Sequence, residues 1–475
     1  MIPKFPYHYF LLLFLLISDI SIAQLGGPAG TDSVSKSNGQ FEIGQIYVEG
    51  NAKTKADIII RELPFITGQN YNLKELSDQF DIAKKQLMNT MLFHDVHVTV
   101  CSFEGNKVDI AVNVKERWYL FPVPYFKPID RNLNQWLIEQ KADLSRVNYG
   151  LKLMYYNASG HNDKFRFWLI NGYSKQLALS YDRLYIDHKM KWGFRMGFAM
   201  GKEHELNYAT IEDKQAFLRS NTSYLHKFFT AGAELTYRNK INTRHAFGIS
   251  YLKERVADTV LLANSNYFGK GQKQVSLPEL HYTMTYYNLD YIPYPTKGYA
   301  AKLSISKKGL EQKNSVTELQ ARGLGIWSVI PKTFLSIQAF AGLKLPFDQP
   351  YFNQRFLGYG DAFLQGYEYY VVDGVAGGFS RVTLTRSLFD FNVRLPKGIG
   401  KTVNQVPFKV YAKVFENSGY VYNPNVATNS LSNKWLHGGG IGIDIMTLYD
   451  FTFRFEYSFN QLGQNGLFLH RKTIF

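Results

Sequence analysis

From about residue 120 onward the chain alternates apolar and polar residues with a period of two, and many of the apolar members are aromatic. Trp192, Phe194, Met196, Phe198 and Met200 share one face, with Lys191, Gly193, Arg195, Gly197 and Ala199 on the other. Tyr299, Ala301, Leu303 and Ile305 oppose Lys302, Ser304 and Ser306. Phe451, Phe453, Phe455, Tyr457 and Phe459 oppose Thr452, Arg454, Glu456, Ser458 and Asn460. A strand turns successive side chains to opposite faces, so such stretches build sheets that are apolar on one side and polar on the other. A soluble sandwich leaves this number of aromatic strands unexplained, since 16% of the 475 residues are Phe, Tyr or Trp. An Arg–Glu pair inside an otherwise aromatic strand fits a water-filled lumen behind a lipid-facing wall. In lipid every backbone group must find a partner, which demands closure. Sixteen strands of about ten residues fit residues 120–475 with loops averaging about a dozen. The expectation is an all-β transmembrane barrel of sixteen antiparallel strands.

Upstream the pattern differs. Residues 1–23 read as a secretory signal peptide: Lys4 supplies the positive start, Phe10–Ile17 the apolar core, and Ser21-Ile22-Ala23 a small-x-small cleavage site. A buried N-terminal helix is the alternative. Residues 24–40, rich in Gly and Ser, read as a flexible tether. Residues 41–118 read as an α+β unit of order β-α-α-β-β. Ile46 and Val48 alternate in a first strand. Thr54, with Asp57 three residues on, is placed to cap a first helix. Asn72 and Glu75 open a second, along which Leu73, Leu76, Phe80, Ala83 and Leu87 recur at spacings of three and four. Val96, Val98 and Val100, then Val108, Ile110, Val112 and Val114 across a Gly105-Asn106 turn, form a hairpin. Residues 119–475 are left to the barrel, and after residue 23 no apolar run approaches the ~18 residues a spanning helix needs.

The formal net charge is +15, yet the cations are dispersed among acidic residues, without the dense stripe that nucleic-acid binding uses. A single cysteine, Cys101, excludes an intrachain disulfide framework and a Cys-based zinc site. No G-x-S-x-G elbow occurs, and His204-Glu205 does not continue to H-E-x-x-H. Gly438-Gly439-Gly440 lies in an alternating strand, so a crowded contact is the better reading than a phosphate loop. No catalytic residue, cofactor or metal site is expected.

Several motifs then occur in a familiar order. Ile46–Asn51 reads I-x-V-x-G-N, Arg61-Glu62-Leu63 follows, and a helix leads to Phe93-x-x-Val96-x-Val98. Glu116-Arg117-Trp118-Tyr119 and Asp130-Arg131-Asn132 come next, then Asp290 with Pro295-Thr296-Lys297-Gly298, and Arg355–Tyr367 with Gly377-Gly378 after it. The chain resembles the BamA/TamA outer-membrane assembly factors, the bacterial surface antigen family that includes two-partner-secretion transporters. The resemblance implies a POTRA domain at 41–118, an inward-folded loop with its tip at Leu364, Gln365, Gly366 and Tyr367, a barrel-wall partner motif at Phe415, Asn417 and Gly419, and Phe475 as C-terminal assembly signal.

Where the family carries a loop arginine facing a wall aspartate, this chain has Gln365 and Asn417. Loss of both avoids a lone buried charge, and an amide–amide bond nets only about 1 kcal/mol, so a loop docked in the same place but held less tightly is expected. Pairing taken over by Arg355 or Glu416 is the alternative. The first barrel strand is placed near Val147–Asn157 and the last at Leu467–Phe475, where His470-Arg471-Lys472 interrupts the alternation on both faces and either weakens the seam or sits harmlessly at the rim. The function implied is outer-membrane protein insertion or translocation, the periplasmic POTRA domain capturing client strands and the seam acting as a lateral gate. Its partners would be extended outer-membrane or secreted clients, outer-membrane lipids, and accessory periplasmic or lipoprotein partners, with no nucleic acid. A plugged pore, receptor or structural subunit of an outer-membrane complex is the alternative.

Overall fold

The computed structural model describes residues 39–128, 141, 143–183, 185–309, 315–394, 405–425 and 429–471. The signal peptide, most of the tether, the Asp130–Asn132 motif and Phe475 therefore lie outside the described residues.

The first unit is a helix pair on a four-stranded sheet. Its elements are β1 (Phe41–Glu49), α1 (Ala56–Ile60), β2 (Asn70–Tyr71), α2 (Leu73–Asn89), β3 (Phe93–Glu104) and β4 (Lys107–Glu116). The sheet order is β2-β1-β4-β3, with β1 and β4 parallel. Ile58, Ile59, Leu76, Ala83 and Leu87 from the helices meet Ile43, Phe93, Val96, Val108, Ile110 and Val112 from the strands in one buried core. Asn72 and Glu75 form a reciprocal capping box on α2, although Leu73 is 70% exposed. Thr54 does not cap α1; Lys55 occupies that position without a side-chain bond. Thr54 is instead buried, its hydroxyl accepting from Asn157 at 2.9 Å and its amide donating to Glu116 at 2.6 Å. These tertiary partners displaced the local one.

The rest is a barrel. In chain order come β5 (Leu120–Pro128), β6 (Val147–Tyr156), β7 (Lys164–Gly172), β8 (Lys175–Arg183), β9 (Trp192–Glu203), the separate hairpin β10 (Glu205–Ile211) and β11 (Lys214–Arg219), β12 (His226–Tyr237) and β13 (Thr243–Val256). After the short α3 (Asp258–Ala263) follow β14 (Gln274–Leu289), β15 (Gly298–Lys308), β16 (Val316–Ile330) and β17 (Thr333–Leu345). The inward loop holds α4 (Tyr351–Gln354), β18 (Arg355–Leu357) and β19 (Val372–Asp373). The chain ends with β20 (Ala376–Arg394), β21 (Gln405–Tyr422), β22 (Trp435–Met446), β23 (Thr452–Asn460) and β24 (Asn465–Arg471). Sixteen strands make one sheet, running from β5 to β24 with each paired to its chain neighbour in the sheet. The first strand is thus β5, not the Val147–Asn157 stretch, which is the second. It carries Pro122, Pro124 and Pro128, and an edge position is where a strand tolerates them.

Alternation explains the wall. Phe453, Phe455, Tyr457 and Phe459 are 41–48% exposed outward, while Glu456 and Ser458 are fully buried inward. Phe247, Ile249, Leu280, Leu303, Ile441 and Ile443 continue the exposed apolar belt, the surface that a bilayer would cover. No helix among the described residues is long and apolar enough to cross a membrane.

Candidate functional site: the docked loop, the seam and the POTRA junction

The loop tip lies in the lumen against β21–β23. Leu364 and Tyr367, each 3% exposed, pack with Phe340, Phe379, Val421 and Leu436. A Cβ on Gly419 would stand 2.9 Å from Leu364, so the wall glycine makes room for the loop leucine. Gly366 has φ +94°, and a Cβ there would also approach the Phe459 carbonyl to 2.7 Å. A side chain at Gly438 would collide with the Gln365 carbonyl, which accounts for the glycine row as a crowded contact.

The structure brings Gln365 and Asn417 together, but not as an amide–amide pair. Asn417 donates from Nδ2 to the Gln365 backbone carbonyl at 3.1 Å, and Gln365 donates from Nε2 to Glu456 at 2.6 Å. Asn460 donates to the Gly366 carbonyl at 2.6 Å, and the Tyr367 hydroxyl to the His437 carbonyl at 3.2 Å. The guanidinium that sequence reasoning looked for on the loop comes from the wall. Arg381 of β20, directly opposite Asn417 in register, donates to the Asn417 side chain at 2.8 Å and to the Phe363 carbonyl of the loop at 3.0 Å. Neither proposed substitute does this. Arg355 donates to the Asn207 carbonyl and the Tyr267 hydroxyl, while Glu416 points outward and is exposed. Five hydrogen bonds between wall and loop hold the tip, and three of them go to loop backbone carbonyls, which no loop side chain announces. Phe415 lines the lumen beside them, 2% exposed.

Beneath the loop a cavity of about 140 Å³ is lined by Arg381, Lys413, Asp444, Arg454 and His470. Lys413 pairs with Asp444 at 2.5 Å and Glu456 at 2.6 Å, and Tyr294, from the β14–β15 turn, donates to Asp444 at 3.0 Å. His470 on β24 faces inward, 3.2 Å from Glu368 of the loop and 3.5 Å from Glu456. It does not interrupt the alternation: Leu467 and Leu469 stay outward, 71% and 64% exposed. Glu368, Glu456 and His470 thus converge from three separate elements. Lys413 already neutralises Glu456, and sequence spacing gave no sign of the trio.

At the seam, no ladder joins β5 to β24 among the described residues. The Tyr156 amide donates to the Tyr119 carbonyl at 2.9 Å, and the register continues as Leu120↔Tyr155 and Phe121↔Met154. Hydrogen-bonded and non-bonded pairs alternate in an antiparallel ladder. Residues 120, 122, 124, 126 and 128 therefore direct their backbone groups away from β6, toward the seam. Three of those five are proline, with no N–H to offer.

The POTRA unit is stapled to the turns at one end of the barrel. Lys55 N donates to Gly160 in the β6–β7 turn at 3.0 Å. Asn89 bonds Leu289 and Ile292 at the β14–β15 turn. Arg117 pairs with Asp450 in the β22–β23 turn at 2.7 Å. Glu62 receives Arg238, from the β12–β13 turn, at 2.8 Å, with Tyr185 bonded to both. Burial pushes the Glu62 carboxyl up, but the Arg238 guanidinium overrides this and holds it below its ordinary value.

Residues 41–117 match the sequence profile of the POTRA family, described as surface antigen variable number repeat. Among solved structures, the chain is similar to CdiB from Escherichia coli, with 12% identity over 91% of this chain and 75% of that one and a TM-score of 0.52. It also matches BamA from Haemophilus ducreyi lacking POTRA domains 1–3, with 16% identity, 91% and 83% coverage and a TM-score of 0.48. At this identity the likeness to CdiB is one of fold. No curated protein sequence matches the chain.

Proposed function

We propose that this chain is an outer-membrane protein insertion or secretion factor. Its POTRA domain, lying in the periplasm, captures an extended client segment by strand addition, and the β5–β24 seam opens as a lateral gate. The observation that carries this reading is the proline-bearing edge of β5. A barrel wall built only to be a barrier would close with a full ladder, whereas an edge with three of five donors missing can zip only partly. Supporting it, β3 is an edge strand of twelve residues with one side open to augmentation. The loop tip is anchored on the strands nearest the seam and reaches β24 through Glu368 and His470. That anchoring also suits the second reading, a plugged pore or subunit of an outer-membrane complex. Depletion of the chain in its host, followed by quantitative outer-membrane proteomics, separates them. Loss of one or several barrel or secreted proteins at constant transcript level supports insertion or secretion. An unchanged outer membrane removes it in favour of the plug.

A further inference from the structure

Between α2 and the POTRA-side rim of the barrel lies a crevice of about 670 Å³, within the ~300–1,000 Å³ of typical binding clefts. Its ionisable lining is unbalanced. Lys85, Lys164, Arg238, Arg244 and Lys297 face it, against Glu62 and Asp290. Arg238 is engaged by Glu62. Asp290 accepts from the Thr296 hydroxyl at 2.5 Å and from amides of its own turn. Lys164 and Arg244 are left partly buried, with no ion pair or side-chain hydrogen bond among the described residues. Strand alternation turns both toward the lumen: their neighbours Phe247 and Ile249 on β13 and Leu169 on β7 are exposed on the outer wall. Each has a carboxylate within electrostatic range, Asp182 for Lys164 and Glu62 for Arg244, but neither closes an ion pair, and partly desolvated cations left so are costly until an anion arrives.

A second group defines the anion's kind. Gln86 on α2 lines the same crevice, and its Oε1 is buried without a hydrogen-bond partner. A carbonyl oxygen needs a donor, which a peptide N–H supplies and a fully ionised phosphomonoester does not. Ile82, Tyr287, Leu289 and Tyr299 add apolar lining for side chains.

We propose that this crevice receives an acidic, extended polypeptide segment, with Lys164 and Arg244 binding its carboxylates and Gln86 accepting from its backbone. The site is separate from the open edge of β3 and rests on the reading that this chain handles extended clients.

The test uses the full chain in detergent micelles. Fluorescence anisotropy is followed with a short labelled Glu-rich peptide and its Gln counterpart, with inorganic phosphate and anionic lipid headgroup as competitors. The Glu peptide should bind at least ~10-fold tighter than the Gln peptide. K164Q combined with R244Q should abolish that preference, and K164R with R244K should restore it. Gln86→Leu should weaken both peptides alike. Equal binding of the two peptides, or phosphate or headgroup displacing the Glu peptide as readily as unlabelled peptide does, overturns the proposal. Heat-modifiable migration on gels checks that each variant is folded, and the conservative pair carries the test if the Gln pair is not. Because binding is read in vitro, it stands or falls apart from the depletion experiment.

Discussion

Replacing Pro122 and Pro124 with valine tests the seam directly. Both positions direct their backbone toward the gap, so each substitution adds one amide donor to an edge that now has two non-proline positions of five. A backbone hydrogen bond nets about 1 kcal/mol. Two give about 2 kcal/mol, or roughly thirtyfold in the ratio of zipped to open seam. Valine also suits a strand better than proline, so the wall itself should not suffer. The readout is a distance distribution between spin labels at Val123 on β5 and Leu469 on β24, 41% and 64% exposed, in a chain whose exposed Cys101 has been replaced by serine. The double variant should shift population into the short-distance component and slow client insertion or secretion in proteoliposomes. A distribution indistinguishable from the unsubstituted chain would mean that missing donors do not govern the seam, and the argument for a gate would lose its footing.

Arg381→Ala should leave the buried Asn417 and the Phe363 carbonyl without their charged donor, costing the docked loop about 3–5 kcal/mol; proteases should then cleave within 358–371 far faster, while Arg355→Ala, which bonds elsewhere, should not produce that pattern. Glu62→Ala strands the Arg238 guanidinium, whose side chain is 9% exposed, and should weaken POTRA docking by about 3–5 kcal/mol, read as accelerated amide exchange in the β12–β13 turn. His94 meets Tyr449 of the β22–β23 turn edge to face, and burial, then Arg117 and Lys115, hold its pKa below 6.5. A depressed value means that the docked form resists protonation, so docking is strongest above about pH 6.5 and weakens as pH falls through the lower, docked value; His94→Gln should flatten the exchange-versus-pH curve across that window. Asn72→Ala removes the capping box and should cost about 1 kcal/mol, visible as roughly fivefold faster exchange in the first turn of α2 with the barrel unaffected.

What could be read from the chain was whatever depends on period and local chemistry. Phe451–Asn460 declares a barrel strand because one face meets lipid and the other water, and Asn72 with Glu75 declares a helix start because both partners lie within one turn. What could not be read depends on partners distant in sequence. β5 was not placed as the first strand, and its prolines become informative only once no ladder is seen on its far side among the described residues. Thr54 was assigned to a cap because Asn157 and Glu116 were out of view. Arg381 carried no motif; its position opposite Asn417 is a matter of strand register. His470, taken as a break in the alternation, continues it, since its inward face meets Glu368 and Glu456.

The POTRA staples fall on both sides of the β5–β24 boundary, across which no ladder runs among the described residues. The β6–β7 turn joins the second and third strands from one lip, and the β22–β23 turn joins the second and third from the other. One small body therefore grips the sixteen-stranded sheet near both of its ends. If the proposed gate opens there, the width of the opening and the tilt of that body would form a single mechanical coordinate, neither changing alone unless a staple breaks. Under the proposed function, a segment drawn along the POTRA sheet would apply torque to the lips, and a strand wedged between the lips would turn the domain outside.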